Sequence, residues 1–282
     1  MYDLSTRFLS SGGYQTVQDS PYNTPLGIGF LEAGQEMGYD IRDVNGEKQT
    51  GFALYQYTMR RGARCSTAKA FLRPIRLRKN LHISMYSHVT KVLIDPTSRR
   101  AYGVEFIKDG QKHTVLVKKE VILSAGAINS PHLLMLSGIG PRKHLEEKGI
   151  RVIHDSPGVG ESNNPLEYPL LYHNYLTHPH DVNVLREGTK AAVAFGQTEA
   201  LKRFGARFHS VPVPKCKHLP QFTDEYWNCY IRQYTLSIYH YSCTAKMGPE
   251  SDPYAVVDPQ LRVYGISGLR VIDASIMPFI TN

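Results

Sequence analysis

The sequence predicts an α/β protein, α+β in overall texture, in which part of a doubly wound sheet domain is joined to the remnant of a second domain. Three observations predict it. The stretch "EVILSAGAINSPHLLMLSG" at 120–138 reads as strand, small-residue turn and helix, one arm of a doubly wound sheet that brings backbone N–H groups towards a phosphate. The stretch "AYGVEFIKDGQKHTVLVKK" at 101–119 alternates as a hairpin about Asp109-Gly110. Between 177 and 242 the pattern turns helical, with 3.6-residue spacing.

Taken in order, "SPYNTPLGIGFLEAGQEMGYD" at 20–40 predicts a helix capped by Thr24 with Pro25 in its first turn, although Gly27, Gly29 and Gly34 weaken it. "LHISMYSHVTKVLID" predicts a strand from about His82 onwards, followed by a turn through "DPTSRR". "VILSA" is a continuous apolar run and predicts a strand buried on both faces. Ser130 and Pro131 then read as N-cap and first residue of the "HLLML" helix. A short helix follows from Pro141 to a stop at Gly149, and "IRVIHD" predicts another strand.

After "SPGVGES" the texture changes abruptly. A helix capped by Asp181 is expected, then one capped by Thr223 with Asp224 and Glu225 in its first turn. Trp227, Ile231, Tyr234 and Ile238 would form the apolar face of the second. "YAVVDPQLRVYG" and "LRVIDASIM" predict closing strands, their two Leu-Arg-Val triplets read as neighbours rather than as a repeat.

The 282 residues, 41% hydrophobic and 10% aromatic, suffice for a packed core. The net charge of +8 is spread along the chain. Its densest run, "LRPIRLRKN" at 72–80, reads as a solvated edge or an internal anion contact, so no nucleic-acid partner is expected. No apolar run is long enough for a membrane span, and "MYDLSTRFLSS" lacks the apolar core of a signal peptide. The four cysteines have no C-x-x-C spacing, so no metal is expected. Cys216 and Cys229 read either as a pair formed in an oxidising compartment or as two reduced, buried thiols.

His240, in "SIYHYSCTAKMGP" at 237–249, stands between two tyrosines. By itself such a histidine reads first as a core residue and second as a base. Three stretches together change that reading: "GAINSPHLLMLSGIGP" at 126–141, "IYHYSCTAKMGP" at 238–249 and "VVDPQLRVYGISGLRVIDASIMP" at 256–278. In order and position they resemble the glucose-methanol-choline (GMC) family of flavin-dependent alcohol oxidoreductases, as "MRRGARCSTAKAFLRP" at 59–74 and the strand around Val89 also do. The wording "SCTAKMG" is similar to the insect glucose-dehydrogenase branch.

The resemblance implies an FAD-dependent oxidoreductase acting on the CH–OH group of a small alcohol or sugar. It implies an extracellular location and leaves the electron acceptor open. His240 is implied as the base and Tyr239 as its aromatic neighbour near the flavin ring. Val89 would meet the adenine end of FAD, and Ser124, Ala125 and Gly126 the cofactor side of the strand-turn-helix arm. Asp273 and Ala274 would approach its ribityl and pyrophosphate part. From the residues alone Val89 and Ala274 read equally as packing residues, Gly126 as a tight contact and Asp273 as a helix cap.

Residues 1–162 would be the N-terminal FAD-binding part without its first βαβ unit. Residues 163–250 would be a substrate-domain remnant, and 251–282 would return to the FAD domain. No G-x-G-x-x-G occurs, since "GIGFLE", "GIGPRK" and "GVGESN" end in Glu32, Lys143 and Asn163. The resemblance therefore implies a fragment, with a large internal deletion near Glu161–Asn163 and a partner for His240 beyond Asn282. Such a chain is expected to be idle as it stands. The alternative is a non-catalytic binding or decoy protein on the same scaffold.

Overall fold

The computed structural model describes residues 12–160, 175–236 and 238–280. The expected junction near Glu161–Asn163, Ser237 beside the His240 segment, and Asn282 lie outside the described residues. In chain order the main elements are α1 (Pro25–Glu36), β1 (His88–Asp95), β2 (Arg100–Lys108), β3 (Gln111–Leu116), β4 (Val121–Leu123), α2 (Gly126–Leu136), α3 (Arg142–Glu147), α4 (Pro179–Gly196), α5 (Asp224–Tyr234) and β5 (Leu269–Val271). They fall into two compact units, Met1–His82 with Asn174–Thr235, and Ile83–His173 with Leu236–Asn282.

In the first unit, α1 starts as its sequence predicts: Thr24 Oγ1 accepts from Gly27 N at 3.1 Å and Pro25 opens the helix. Two of the three glycines inside α1 serve packing. A Cβ on Gly29 would stand 2.5 Å from the Phe204 ring, and one on Gly34 would stand 2.6 Å from Phe52. At its far end the Glu36 carboxylate accepts from Glu199 N and Ala200 N, both at 2.8 Å, and caps the short helix Glu199–Lys202. The cap of α4 is His178, whose Nδ1 accepts from His180 N at 3.2 Å, and not Asp181, which lies in the first turn.

Helix α5 is capped by Thr223 as expected, its Oγ1 accepting from Tyr226 N at 3.2 Å. It ends at Tyr234 because Thr235 turns to an extended conformation. Trp227 and Ile231 are buried, whereas Tyr234 and Ile238, expected on the same face, are exposed. A disulfide joins Cys216 to Cys229, with Cα atoms 5.9 Å apart, and the buried Cys216 packs with Tyr226 and Trp227.

The second unit holds the three-stranded antiparallel sheet β1-β2-β3. Asp109 and Gly110 both take positive φ (50° and 74°), the two-residue hairpin that matches strand twist. Strand β1 starts at His88 rather than near His82. Before it, Tyr86 sits at φ 56° and Ser84 and Ser87 share a 2.7 Å hydrogen bond, which turns the chain.

Strand β4 is a second departure: Val121 and Leu123 are buried but Ile122 is 51% exposed, so one face of the strand is open. Its partner is β5, parallel to it in the register Leu269↔Val121 to Val271↔Leu123. The expected "IRVIHD" strand shrinks to His154–Asp155, which pairs with Ile139–Gly140. In "YAVVDPQLRVYG" isolated bridges replace a strand, with Leu261 at φ 66° breaking the run. The two Leu-Arg-Val triplets do neighbour each other, through an antiparallel bridge Arg262↔Arg270. Like charges opposite each other repel. Each arginine here has its own carboxylate, Asp258 Oδ2 at 2.6 Å from Arg262 Nε and Glu120 Oε2 at 2.7 Å from Arg270 Nε.

Helix α2 packs on β1, where Val92 N donates to Ser137 Oγ at 2.9 Å, and the core between them is built by Val92, Leu134, Met135, Ile139, Leu269 and Val271.

The disulfide sets an expected thiol count. Denatured without reductant, the chain should take up two alkyl groups, at Cys65 and Cys243, and four after reduction. Cys216→Ala with Cys229→Ala should lower the stability of the first unit by about 3 kcal/mol, the loop-closure value for a bridge of this span. Alkylation mass spectrometry and urea melts read both.

Candidate functional site

The turn after β4 is built around Gly126, which takes φ 89° and begins α2. The helix therefore starts before the expected cap, and Ser130 and Pro131 lie inside it. Ser130 Oγ accepts from Ala125 N at 3.0 Å and donates to Asp273 Oδ2 at 2.5 Å. The same Oδ2 accepts from Gly126 N at 3.0 Å, while Oδ1 accepts from Ser275 N at 2.8 Å and caps Ala274–Ile276. Burial opposes ionisation of Asp273, but the hydrogen bonds from Ser130, Ser275 and Gly126 outweigh it and hold the carboxyl below its usual range. The Ala125 and Gly126 amides at the start of this arm are thus taken by protein oxygens.

Pro131 has no N–H to give to the carbonyl of Ala127, four residues earlier. That carbonyl accepts from the hydroxyl of Thr244 instead. Beyond Thr244 the chain is fastened to the Asp273 segment: Ala245 N donates to Ser275 O at 2.9 Å and Met247 N to Ile276 O at 2.8 Å. Three distant stretches, the β4–α2 turn, residues 244–247 and residues 273–276, are so drawn together.

Ahead of Thr244, Tyr239 and Cys243 both take left-handed conformations, φ 63° and 70°, and bracket His240. His240 is exposed, as is Tyr239 at 82%, and the Tyr239 and Tyr241 rings meet edge-on at 6.3 Å. A cavity of about 440 Å³ lies along β1, β4 and α2, and Ser87, Val89, Ser124, Ala125, Asn129 and Leu133 contribute to its walls. The structure therefore brings Val89, Ser124 and Ala125 to one hollow, and Gly126 and Asp273 to one hydrogen-bonded cluster beside it. Tyr239, His240 and the half-buried Ala274 are not among the residues lining that hollow. Sequence reading passes over Thr244, Ser87 and Asn129. The available signal for Thr244 is Pro131 within a helical run, which demands an outside donor for Ala127.

Two models of the family described as GMC oxidoreductase match, one over residues 8–179 and the other over 160–282. The chain belongs to this family. It is 34% identical to the glucose dehydrogenase (FAD, quinone) of Drosophila melanogaster over 99% of this chain and 62% of the relative. It is 31% identical to the human mitochondrial choline dehydrogenase over 97% of this chain and 63% of the relative. The chain thus spans less than two thirds of these GMC relatives. The first alignment runs over 390 positions, more than the 282 residues present, so that relative carries internal sequence this chain lacks.

Among solved structures the fold is similar to pyridoxine 4-oxidase from Mesorbium loti, with a TM-score of 0.84 at 22% identity over 96% of this chain and 68% of the other. It is likewise similar to an FAD-dependent oxidoreductase from Chaetomium thermophilum, with a TM-score of 0.83 at 20% identity over 95% and 70%. The architecture is the α/β fold of this family, present in part.

The Asp273 cluster predicts a pH dependence with a definite sign. Its carboxyl binds a proton more weakly folded than unfolded, so its stabilisation is complete above the ordinary value of 3.8 and is lost as pH falls through the lower folded value. Asp273→Asn should flatten this acid limb in melts between about pH 5 and pH 2. Gly126→Ala, at a positive φ with open space around the site, should cost about 1–2 kcal/mol through backbone strain alone.

Proposed function

We propose that this chain is part of an FAD-dependent oxidoreductase that oxidises the CH–OH group of a small alcohol or sugar, with His240 as the base that takes the hydroxyl proton. Supporting this is the convergence, in one unit, of the β4–α2 turn, the segment that follows His240 and the Asp273 segment, through Thr244, Ala245 and Met247. An imidazole accepts and returns a proton near neutrality, which is what loss of hydride from an alcohol carbon requires. His240 is accessible, so a substrate hydroxyl can reach it.

The cavity of about 440 Å³ combines apolar walls from Val89 and Leu133 with the polar groups of Ser87 and Asn129, and so fits a flat heteroaromatic ring such as adenine. Val89, Ser124 and Ala125 would hold that end of the cofactor. Gly126 and Ala274 would lie towards its pyrophosphate, with the turn kept in shape by Asp273, and Tyr239 would flank the flavin ring. Flavin, when bound, supplies the hydride acceptor. In the proposed domain division, residues 251–282 return to the flavin-binding part, which the parallel pairing of β5 with β4 supports. An extracellular, oxidising setting is proposed on the Cys216–Cys229 disulfide.

The whole protein that carries this sequence should purify yellow and reduce an artificial acceptor when given an alcohol or sugar. His240→Ala should lower turnover by about 10²–10⁴-fold, the usual contribution of a general base, while the flavin absorbance is retained. Turnover at the wild-type rate in that variant would remove His240 from the mechanism.

A further inference from the structure

We propose that Thr244 is a positioning residue that sets His240 against the β4–α2 turn, using a carbonyl that Pro131 leaves without its helical donor. The proposal rests on the reading of His240 as the base. A proline inside a helix forfeits the hydrogen bond to the residue four before it, and that carbonyl must find another partner. Here the carbonyl is that of Ala127 and the partner is the Thr244 hydroxyl, from a segment 117 positions away. Pro131 and Thr244 both border Gly160: a Cβ built there would lie 4.0 Å from the Cβ atom of each.

Thr244 stands four residues after His240, and the loop that carries His240 is costly in backbone terms. Tyr239 and Cys243 both hold left-handed φ angles, 63° and 70°, which side chains other than glycine adopt only when their surroundings impose them. The Thr244 bond clamps the end of this loop to α2, and the Ala245 and Met247 amides clamp the next residues to the Asp273 segment. The proline that weakens α2 thereby creates the acceptor that fixes where His240 is presented.

The test uses Thr244→Val, Thr244→Ser, Pro131→Ala and the double variant Pro131→Ala with Thr244→Val. In the 282-residue chain, the hydrogen-bonded amides within 239–247, those of Ala245 and Met247, should exchange with deuterium about tenfold faster in Thr244→Val, the scale of one lost hydrogen bond, and near the wild-type rate in Thr244→Ser. The double variant regains an N–H for Ala127, so protection of 126–136 should return while 239–247 stays fast. In the flavin-loaded whole protein, Thr244→Val should lower kcat at least tenfold with KM unchanged, and the double variant should keep the low kcat. Unchanged exchange at 239–247 in Thr244→Val, or wild-type kcat in the double variant, would overturn the proposal and leave Thr244 as a carbonyl cap alone. Full turnover in His240→Ala would overturn the base reading instead, recognisable because the exchange difference at 239–247 would persist.

Discussion

The Asp273 carboxylate accepts from Gly126 N, Ser130 Oγ and Ser275 N, and so ties together chain segments up to 147 positions apart. Most of what surrounds the candidate site depends on that constraint. With Oδ2 facing the first turn of α2, the negative charge meets the positive end of the helix, where a carboxylate is favoured. With Oδ1 on Ser275 N, the same group starts the short helix that follows β5. The parallel pairing of β5 with β4 and the start of α2 are thereby held in one arrangement.

A second consequence concerns the groups that the turn can offer a ligand. A strand-turn-helix arm in an α/β sheet commonly presents free amides to a phosphate. Here the chain spends those amides on its own oxygens, Ser130 Oγ for Ala125 and Asp273 Oδ2 for Gly126. The hollow along β1 and α2, with Val89 and Leu133 as apolar walls, stays open beside them. The turn thus acts as a brace between two distant parts of the chain.

Much of the local structure is legible in the sequence because it rests on interactions a few residues apart. Thr24 and Thr223 cap helices as their spacing predicts, and Asp109-Gly110 makes the hairpin because these residues tolerate positive φ. Where a distant partner intervenes, the local reading fails. Ser130 and Pro131 look like a cap and a first residue, yet Asp273 supplies an oxygen for Gly126 N and lets α2 begin earlier. Ile122 belongs to an apolar run that looks doubly buried, but burial is decided by the elements that cover each face, and one face of β4 is open. Gly29 and Gly34 of α1 read as helix weakeners, and only the positions of Phe204 and Phe52 reveal them as room for close packing.

The sequence alone determined the α/β class, the order of the strand-turn-helix pieces and the family, because alternating and helical periodicities and the stretches around Gly126, His240 and Asp273 are written in consecutive residues. Only the tertiary structure decided that Cys216 pairs with Cys229, that Asp273 closes the β4–α2 turn, and that Thr244 takes the carbonyl Pro131 leaves behind. Each of these is a bond between residues far apart in sequence or a choice between equally good local partners. Local propensity carries no record of such meetings, which arise when buried polar groups must find whatever donor or acceptor the packed chain brings within reach.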